Sequence, residues 1–175
     1  MDCLFCGIVQ GKIPSFKIYE DDSFLAFLDI NPANPGHTVL IPKAHYGSIM
    51  EMQEVELSRF FLIARAISLA LLEYGAEGVN FLYSMGQAAG QRSPHMLLHI
   101  IPRYKDDGLI LEPPRKKATE EELKAQQQKI SQFIGKPQAP QKVQQKPVEQ
   151  KEIKQEKVEK KIYELPRRTG GYWRY

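Results

Sequence analysis

Apolar and polar positions alternate along residues 95–101, which predicts a β-strand with histidines on one face. The run is entered through Gly90 and closed by Pro102. Alternate side chains of a strand share a face, so one set of positions lines a surface while the other points into a core. The first set is His95, Leu97 and His99, and the second is Met96, Leu98 and Ile100. Two imidazoles on one face are typical of a site, and a strand that carries two surface histidines has the same pattern.

A longer period marks residues 55–74, where apolar side chains recur every three or four positions before a stop at Gly75. This pattern predicts one long helix. Its main stripe consists of Leu57, Phe60, Phe61, Ala64, Ile67, Leu71 and Tyr74. Leu62 and Leu69 lie outside the stripe, and a helix that is apolar over most of its circumference is covered on more than one side. Either the C-terminal tail or a second subunit is expected to cover it.

Shorter segments complete the predicted elements. The predicted strands are a hairpin over residues 17–20 and 23–28, and single strands over 37–41 and 79–84. Residues 3–10 favour a short helix ended by Gly11. A capping box formed by Thr119 and Glu122 begins another helix, which extends over about residues 120–134.

The composition changes along the chain and divides it into three segments. Hydrophobic residues make up 42% of the sequence but become sparse beyond Gly135. We expect a folded domain over residues 1–109, an extension with one helix over 110–135, and a disordered tail over 136–175. The tail carries eleven Lys or Arg and five Glu, so its net charge is +6 and that of the remainder is −3. The folded part therefore offers no broadly basic surface, and local groups would have to hold a nucleotide.

The end of the tail differs from the rest of it. Residues 163–175 contain three Tyr, the single Trp and three Arg. Such a segment suits a short peptide that binds a protein, or one that stacks on nucleic acid. An unstructured end with chance aromatic residues has the same composition.

The N-terminus and the cysteine content bear on the compartment. No basic segment followed by an apolar run begins the chain, and no apolar stretch is long enough to span a bilayer. Two cysteines are too few for a disulfide scaffold. The sequence therefore predicts a cytoplasmic protein with no membrane partner.

The histidine strand and its flanks resemble the histidine-triad (HIT) family. That family has the motif His-φ-His-φ-His-φ-φ, in which φ is apolar, usually preceded by Ala-Gly-Gln and followed by Pro-Arg. The positions in register are Ala89-Gly90-Gln91, His95, His99, Ile100-Ile101 and Pro102-Arg103. Residues 27–46 are also close to the first half of the family pattern, so the resemblance covers about residues 3–108. One position departs, because Leu97 stands where the family has its middle histidine.

The resemblance implies an α+β fold. Its expected parts are an antiparallel sheet of about five strands, one long helix over residues 55–74 and short flanking helices, with the disordered basic tail added. Related proteins are usually dimers through this helix and the strand after it. We therefore expect a homodimer.

Cys3 and Cys6 form a Cys-x-x-Cys pair, which indicates zinc more than redox chemistry because it does not open a thioredoxin-like helix. A closed structural zinc site needs about four nitrogen or sulfur ligands. In many relatives the pair is completed by the histidine of a Pro-Lys-x-His stretch and by the first histidine of the triad. Those positions are His45 and His95, so the resemblance implies a structural Zn²⁺. The alternative is two free buried thiols.

In the family, the middle histidine attacks the α-phosphorus of a nucleotide to form a covalent intermediate. Leu97 has no lone pair and cannot act as this nucleophile. His99 lies two residues further along, about 6.6 Å away by strand rise, and cannot attack the same phosphorus unless the substrate moves. The positions that the resemblance still implies for catalysis are His37, His95 and His99.

The resemblance also implies a nucleotide pocket. The implied residues are Phe5, Ile8, Asp29, Ile30, Ser84, Gln91 and Arg92. Asp29 matches a carboxylate that accepts ribose hydroxyls, and the apolar members match a clamp on the base. Ser84 stands where Asn is usual, and Arg92 stands where a small hydroxyl residue is usual. The Arg92 guanidinium can nevertheless hold a phosphate.

Three functions fit this sequence. In the first, the protein binds a purine nucleotide or dinucleotide but turns it over extremely slowly. In the second, it is a hydrolase or transferase with a changed mechanism, in which His37 or His99 assists direct attack by water. In the third, it is a zinc-stabilised dimeric scaffold for the tail.

Overall fold

The computed structural model describes residues 3–134, and the predictions made for residues 135–175 lie outside this part. The chain divides into two units, residues 1–114 and 115–175. The α-helices of the first unit are α1 (Leu4–Val9) and α2 (Glu54–Tyr74). Its strands are β1 (Lys17–Glu20), β2 (Phe24–Leu28), β3 (Thr38–Pro42), β4 (Gly78–Leu82) and β5 (Leu98–Arg103). Two short 3₁₀ turns, Ile49–Glu51 and Gln87–Ala89, precede α2 and β5.

The five strands form one antiparallel sheet in the order β1-β2-β3-β5-β4. The predicted α+β fold with a five-stranded antiparallel sheet is confirmed. Strand β5 is an inner strand, with Val39 of β3 on one side of His99 and Leu82 of β4 on the other. His99 therefore lies on an inner strand that is held by a neighbour on each side.

Two apolar clusters cover the sheet, and the alternation of side chains along the strands supplies both of them. The larger cluster packs α2 against the sheet, and its strand residues include Leu40, Leu98 and Ile100. The smaller cluster consists of Ile8, Leu25, Phe27, Val39 and Ile41, with Phe5, Val9, Ile13 and Leu97 packed against it. Each large side chain that is fully buried contributes on the order of 1.5–3 kcal/mol to folding. Helix α1 is thus attached through the smaller cluster.

The histidine strand is shorter than the alternation predicts. Strand β5 begins at Leu98, and the backbone around His95 makes a bend instead. The His95 N–H donates to Ser93 Oγ at 3.0 Å, and the Met96 N–H donates to the Tyr46 carbonyl at 2.6 Å. These bonds replace the strand pairing that the sequence pattern predicts. The alternation of burial persists over residues 96–100, where the predicted core residues Met96, Leu98 and Ile100 are buried, but His95 is buried as well, at 1% exposure.

Helix α2 matches the predicted helix within one residue. It begins at Glu54 and ends before Gly75, whose φ of 120° is the left-handed conformation that suits glycine. Near its start, the Gln53 N–H donates to the Glu56 carboxylate at 3.4 Å. Its large exposed apolar side chains are Val55, Phe61, Leu62, Leu69, Leu72 and Tyr74. The helix therefore buries one stripe and exposes a second apolar surface.

A polar network fixes the loop that leads into β3. Arg103 pairs with Asp107 through two bonds of 2.7 and 2.8 Å. Asn34 donates to the Pro102 carbonyl and to Asp107, both at 2.9 Å. The Arg103 guanidinium holds the pKa of Asp107 well below its usual range. Since Asn34 lies three residues before His37, this network ties the start of β3 to the end of β5.

The second unit contains helix α3 (Glu120–Ser131) within its described residues. The predicted capping box is present, because Thr119 N–H donates to Glu122 at 2.8 Å and Glu122 N–H donates to Thr119 Oγ1 at 3.2 Å. The helix ends three residues before the predicted boundary at Ile134. Between residues 3 and 134, no helix has both the length and the apolar character needed to cross a membrane.

Candidate functional site

Two cysteines and two histidines from three separate parts of the chain meet beside the sheet. Cys3 and Cys6 lie one helical turn apart at the start of α1, and therefore on one face. His45 follows β3, and His95 precedes β5. Cys6 Sγ lies 3.2 Å from His45 Nδ1 and 3.6 Å from His95 Nδ1. All four ligand atoms lie within 4.8 Å of one another, so these residues form a possible metal site. We call them the Cys2His2 cluster.

The tautomer of His95 suits a metal ligand. Its Nε2 lies 2.9 Å from the buried Pro42 carbonyl, which can only accept a hydrogen bond. The proton is therefore on Nε2, and the lone pair of Nδ1 points toward the sulfur atoms of Cys3 and Cys6. Burial also lowers the pKa of His95, which favours the neutral form that ligates metals. The hydrogen bond to the Pro42 carbonyl thus leaves the Nδ1 lone pair of His95 available to a cation.

A second cluster lies on the other side of Leu97. His37 Nε2 is 2.9 Å from His99 Nδ1, and one oxygen of Asp29 is 3.8–3.9 Å from the two rings. The Ala33 backbone N–H donates to His37 Nδ1 at 3.1 Å. Because that nitrogen accepts, the proton of neutral His37 is on Nε2 and is donated to His99. We call His37 and His99 the histidine pair.

The hydrogen bonds of the histidine pair define its chemistry. Although Asp29, His37 and His99 are close enough to surround a cation, His37 uses both nitrogens in hydrogen bonds. It is therefore a donor and not a ligand. Nδ1 of His99 is occupied by His37, so Nε2 of His99 is its remaining nitrogen. Burial lowers the pKa of both rings, which favours their neutral forms.

A cavity of about 560 Å³ opens beside both clusters. The residues that line it come from α1, from the end of β4, and from the segment leading into β5. They are Leu4, Phe5, Leu82, Ser84, Gly90, Gln91, Arg92, Ser93, His95, Leu97 and His99. Leu97 lies between the two histidines in sequence and presents an apolar surface there. The cavity is large enough for a small ligand of the size that such pockets hold.

Gln91 organises one side of the cavity through three hydrogen bonds of its side chain. Its Oε1 accepts the Gly86 N–H at 2.7 Å, and its Nε2 donates to the carbonyls of Gly47 and Ser93 at 2.8 and 2.9 Å. The amide therefore braces the turn before β5 against the segment that follows His45. Its bonds are made within the protein, so its effect on a ligand is to hold the turn in place.

The structure separates the predicted pocket residues into three groups. Six of the predicted nucleotide-binding and catalytic residues line the cavity: Phe5, Ser84, Gln91, Arg92, His95 and His99. Asp29 and His37 lie behind His99, which they contact. Ile8 is buried in the smaller apolar cluster, and the side chain of Ile30 is 79% exposed, so neither of them lines the cavity. Apolar character alone could not separate a core position from a ligand contact.

Four further residues on the cavity wall are absent from the predicted set, namely Leu4, Leu82, Gly90 and Ser93. Leu4 precedes Phe5 on α1, Leu82 is two positions before Ser84, and Ser93 accepts the His95 N–H. The period of two along β4 is the signal that could have identified Leu82, because side chains two apart share a face. Leu4 and Ser93 had no comparable signal.

Comparison with known proteins defines the class. Residues 10–106 match the HIT domain, and the chain therefore belongs to the HIT family. It is 44% identical over 109 residues to an uncharacterized HIT-like protein of Methanocaldococcus jannaschii, covering 62% of this chain and 84% of that one. It is 36% identical over 135 residues to an adenosine 5'-monophosphoramidase of Schizosaccharomyces pombe, covering 77% and 99%.

Solved structures agree with this assignment. A HIT family protein from Bacillus subtilis superposes with a TM-score of 0.70 at 34% identity, covering 78% of this chain and 99% of that one. A zinc-bound histidine triad family protein from Mycobacterium smegmatis superposes with a TM-score of 0.60 at 34% identity, covering 75% and 97%. The fold and the family are thus supported by both sequence and structure.

Proposed function

We propose that this protein binds a purine nucleotide or dinucleotide in the cavity and turns it over extremely slowly. The observation that carries the proposal is Leu97, which lines the cavity between His95 and His99. A leucine side chain cannot attack phosphorus or exchange a proton, so it cannot perform the covalent step that a histidine performs at this position of the family motif. The other polar groups needed to hold an anionic ligand remain.

Each of these groups has a role in the proposed binding mode. The Arg92 guanidinium supplies paired donors for a phosphate at the cavity edge. Nε2 of His99 is the nitrogen that remains for the ligand, because His37 occupies the other one. Asp29 matches the carboxylate that accepts ribose hydroxyls in the family, although here it lies behind His99, 3.8 Å from Nδ1 of that ring. The adenosine 5'-monophosphoramidase of Schizosaccharomyces pombe, to which the chain is similar, supports a purine nucleotide as the ligand.

We also propose that the Cys2His2 cluster holds a structural zinc ion. The donor set fits, because two thiols and two imidazole nitrogens are the ligands of closed tetrahedral zinc sites. The Nδ1 lone pair of His95 is directed at the sulfurs by the bond to Pro42. Zinc bound by these residues would stabilise their thiolate forms and add its binding energy to folding. The zinc-bound relative from Mycobacterium smegmatis supports this choice of metal.

One alternative has an observation in its favour. His99 lines the cavity, and because its Nδ1 accepts a hydrogen bond from His37, its Nε2 carries the proton. Nε2 could therefore protonate the leaving group while water attacks a bound phosphoryl group. That reaction would need no covalent nucleophile at position 97. The protein would then hydrolyse a nucleotide derivative, and His99→Ala would abolish the hydrolysis.

The test combines binding and turnover. The full-length protein is titrated calorimetrically with AMP and GMP, and hydrolysis of a purine nucleoside phosphoramidate is followed in parallel. We expect measurable binding of a purine mononucleotide and hydrolysis near background. Arg92→Gln should weaken binding about tenfold or more, because a charge-assisted bond to phosphate is lost. Arg65→Gln, an exposed arginine on α2, is the matched control. Normal hydrolysis that depends on His99 would establish the alternative instead.

We propose in addition that α2 mediates a homodimer. Its second apolar surface, which includes Leu62, Leu69 and Leu72, is exposed in the single chain. Contiguous apolar surface of this kind is typical of protein interfaces. Light scattering on the full chain should give twice the chain mass of 20.1 kDa. Leu69→Lys should shift the mass toward that of the monomer, and a monomeric wild type at tens of micromolar would contradict the proposal.

A further inference from the structure

Helix α1 takes part in two features at once. Cys3 and Cys6 supply the sulfur atoms of the Cys2His2 cluster. Between them, Leu4 and Phe5 line the cavity. The cavity wall is therefore built on the same turn of helix that would hold the metal.

Helix α1 has little intrinsic stability. The helix has six residues, no side chain caps its N-terminus, and its first turn has no acidic residue. Helices of this length do not persist without tertiary contacts. Ile8 anchors the C-terminal half in the smaller apolar cluster, where it is buried. Leu4, in contrast, is 57% exposed, so its burial adds little.

Three side chains of the N-terminal half contact His95. The rings of Phe5 and His95 have centroids 5.9 Å apart, and both cysteine sulfurs lie 3.6 Å from His95 Nδ1. A bound metal would join these sulfurs to His95 through ligand bonds. Without a cation, weak thiol contacts remain, together with the packing of Phe5 against the smaller apolar cluster, where its ring centroid lies 6.3 Å from that of Phe27. A metal joint between Cys3, Cys6 and His95 would therefore add to the packing that positions Phe5 at the cavity.

The metal side is also connected to the opposite side of the cavity. Gly47, two residues after His45, accepts a hydrogen bond from the Gln91 side chain at 2.8 Å. Tyr46, the residue next to His45, accepts the Met96 N–H. An ordered His45 segment therefore supports the turn that carries Gln91 and Arg92.

We infer that metal occupancy of the Cys2His2 cluster builds the Leu4–Phe5 wall of the cavity, so that the metal and a purine nucleotide bind with positive coupling. This inference rests on the proposed zinc and nucleotide sites. Coupling free energies are reciprocal, so zinc raises the affinity for AMP by the same factor as AMP raises the affinity for zinc. Couplings of this kind are typically about fivefold to 150-fold, and we expect about tenfold.

The first experiment observes the wall directly, without a ligand. Hydrogen exchange is measured on the full chain, zinc-loaded and after removal of the metal. The Gly7 and Gln10 N–H groups donate to the backbone carbonyls of Cys3 and Cys6. We expect both amides to lose protection against exchange when zinc is removed. Those of β3 should stay protected, since its residues are buried in the sheet. Equal protection of α1 in both forms would overturn the inference.

The second experiment measures the coupling. AMP affinity is determined for the zinc-loaded and metal-free protein, and we expect it to be about tenfold weaker without zinc. Phe5→Ala should weaken AMP binding in the zinc-loaded form and abolish the difference between the two forms. Val9→Ala, which shortens a neighbouring side chain that packs on the smaller apolar cluster, is the matched control and should retain the difference.

The outcomes separate this inference from the proposals beneath it. AMP binding that is equally tight with and without zinc overturns the coupling and leaves the proposed nucleotide site intact. If the zinc-loaded protein binds neither AMP nor GMP, both the proposed nucleotide site and the coupling are wrong. The hydrogen-exchange rates of the α1 amides then still show whether the metal orders the Leu4–Phe5 wall. A chain that takes up no zinc contradicts both the metal proposal and this inference.

Discussion

His95 and His99 lie four residues apart on one segment, with different surroundings. The imidazole of His95 is 1% exposed and directs Nδ1 at two sulfur atoms. The side chain of His99 is 30% exposed, and its Nδ1 accepts a hydrogen bond from His37 Nε2. Each ring has one nitrogen committed to the protein, to the Pro42 carbonyl for His95 and to His37 for His99. In each case the hydrogen bond to a neighbouring group decides which ring nitrogen carries the proton. His95 therefore offers a lone pair to a cation, whereas His99 offers an N–H to the cavity.

Leu97 separates these two environments, and replacing it gives the largest effect that we expect. Leu97→His would place an imidazole in the cavity between the Cys2His2 cluster and the histidine pair. Because loss of a covalent nucleophile elsewhere costs about 10⁴–10⁶ in rate, we expect partial recovery of about 10²-fold or more in phosphoramidate hydrolysis. Ser84 and Arg92 also depart from the family pattern, and they limit the recovery. Leu97→Gln controls for polarity, and equal activity of the two variants would refute the nucleophile argument.

The substitution Cys3→Ser tests the environment of His95 in the Cys2His2 cluster. A serine oxygen is a poor zinc ligand, so zinc content should fall from about one per chain. The melting temperature should fall by about 5 °C or more, because binding energy at such a site is folding energy. Chelator should lower the melting temperature of the wild type by a similar amount and leave that of the variant unchanged. A wild type that contains no zinc and is indifferent to chelator would contradict the prediction.

Gln91 braces the cavity turn against the segment after His45, so its loss should affect both sides of Leu97. Gln91→Leu removes three hydrogen bonds and leaves backbone groups of Gly86, Gly47 and Ser93 without their partner. We expect the free energy of unfolding in urea to fall by about 1–3 kcal/mol, accompanied by weaker AMP binding. Gln127→Leu, an exposed residue of α3, is the matched control. Unchanged stability would mean that the turn is held by other contacts.

The smallest expected effect is a pH dependence of the histidine pair. Burial lowers the pKa of His37 and His99 below the ordinary value near 6.5. Between the folded pKa and about pH 6.5, the unfolded chain therefore binds more protons than the folded chain. The stability that the neutral pair contributes is thus present above about pH 6.5 and is lost as pH falls toward the folded pKa. Urea unfolding between about pH 5 and 7.5 should show this slope, with a smaller one in His37→Gln. Equal slopes in the two proteins would assign the titration to other groups.

The sequence alone determined most of the elements and, over residues 96–100, the side of the sheet on which each side chain lies. Met96, Leu98 and Ile100 are in the core as the alternation predicts, since side-chain direction in an extended chain is a local property. The end of α2 at Gly75 is equally local, because glycine adopts positive φ without steric cost. Resemblance also identified the residues that meet as the Cys2His2 cluster.

Only the tertiary structure decided how those residues are used. Strand β5 begins late because Met96 bonds to Tyr46, a residue fifty positions away. Ile8 is in the core whereas Ile30 is exposed, although the two have the same side chain. The Pro42 carbonyl accepts a hydrogen bond from His95 and so places the proton of that ring on Nε2. Such choices depend on distances between segments far apart in the chain, which packing sets and a local pattern does not contain.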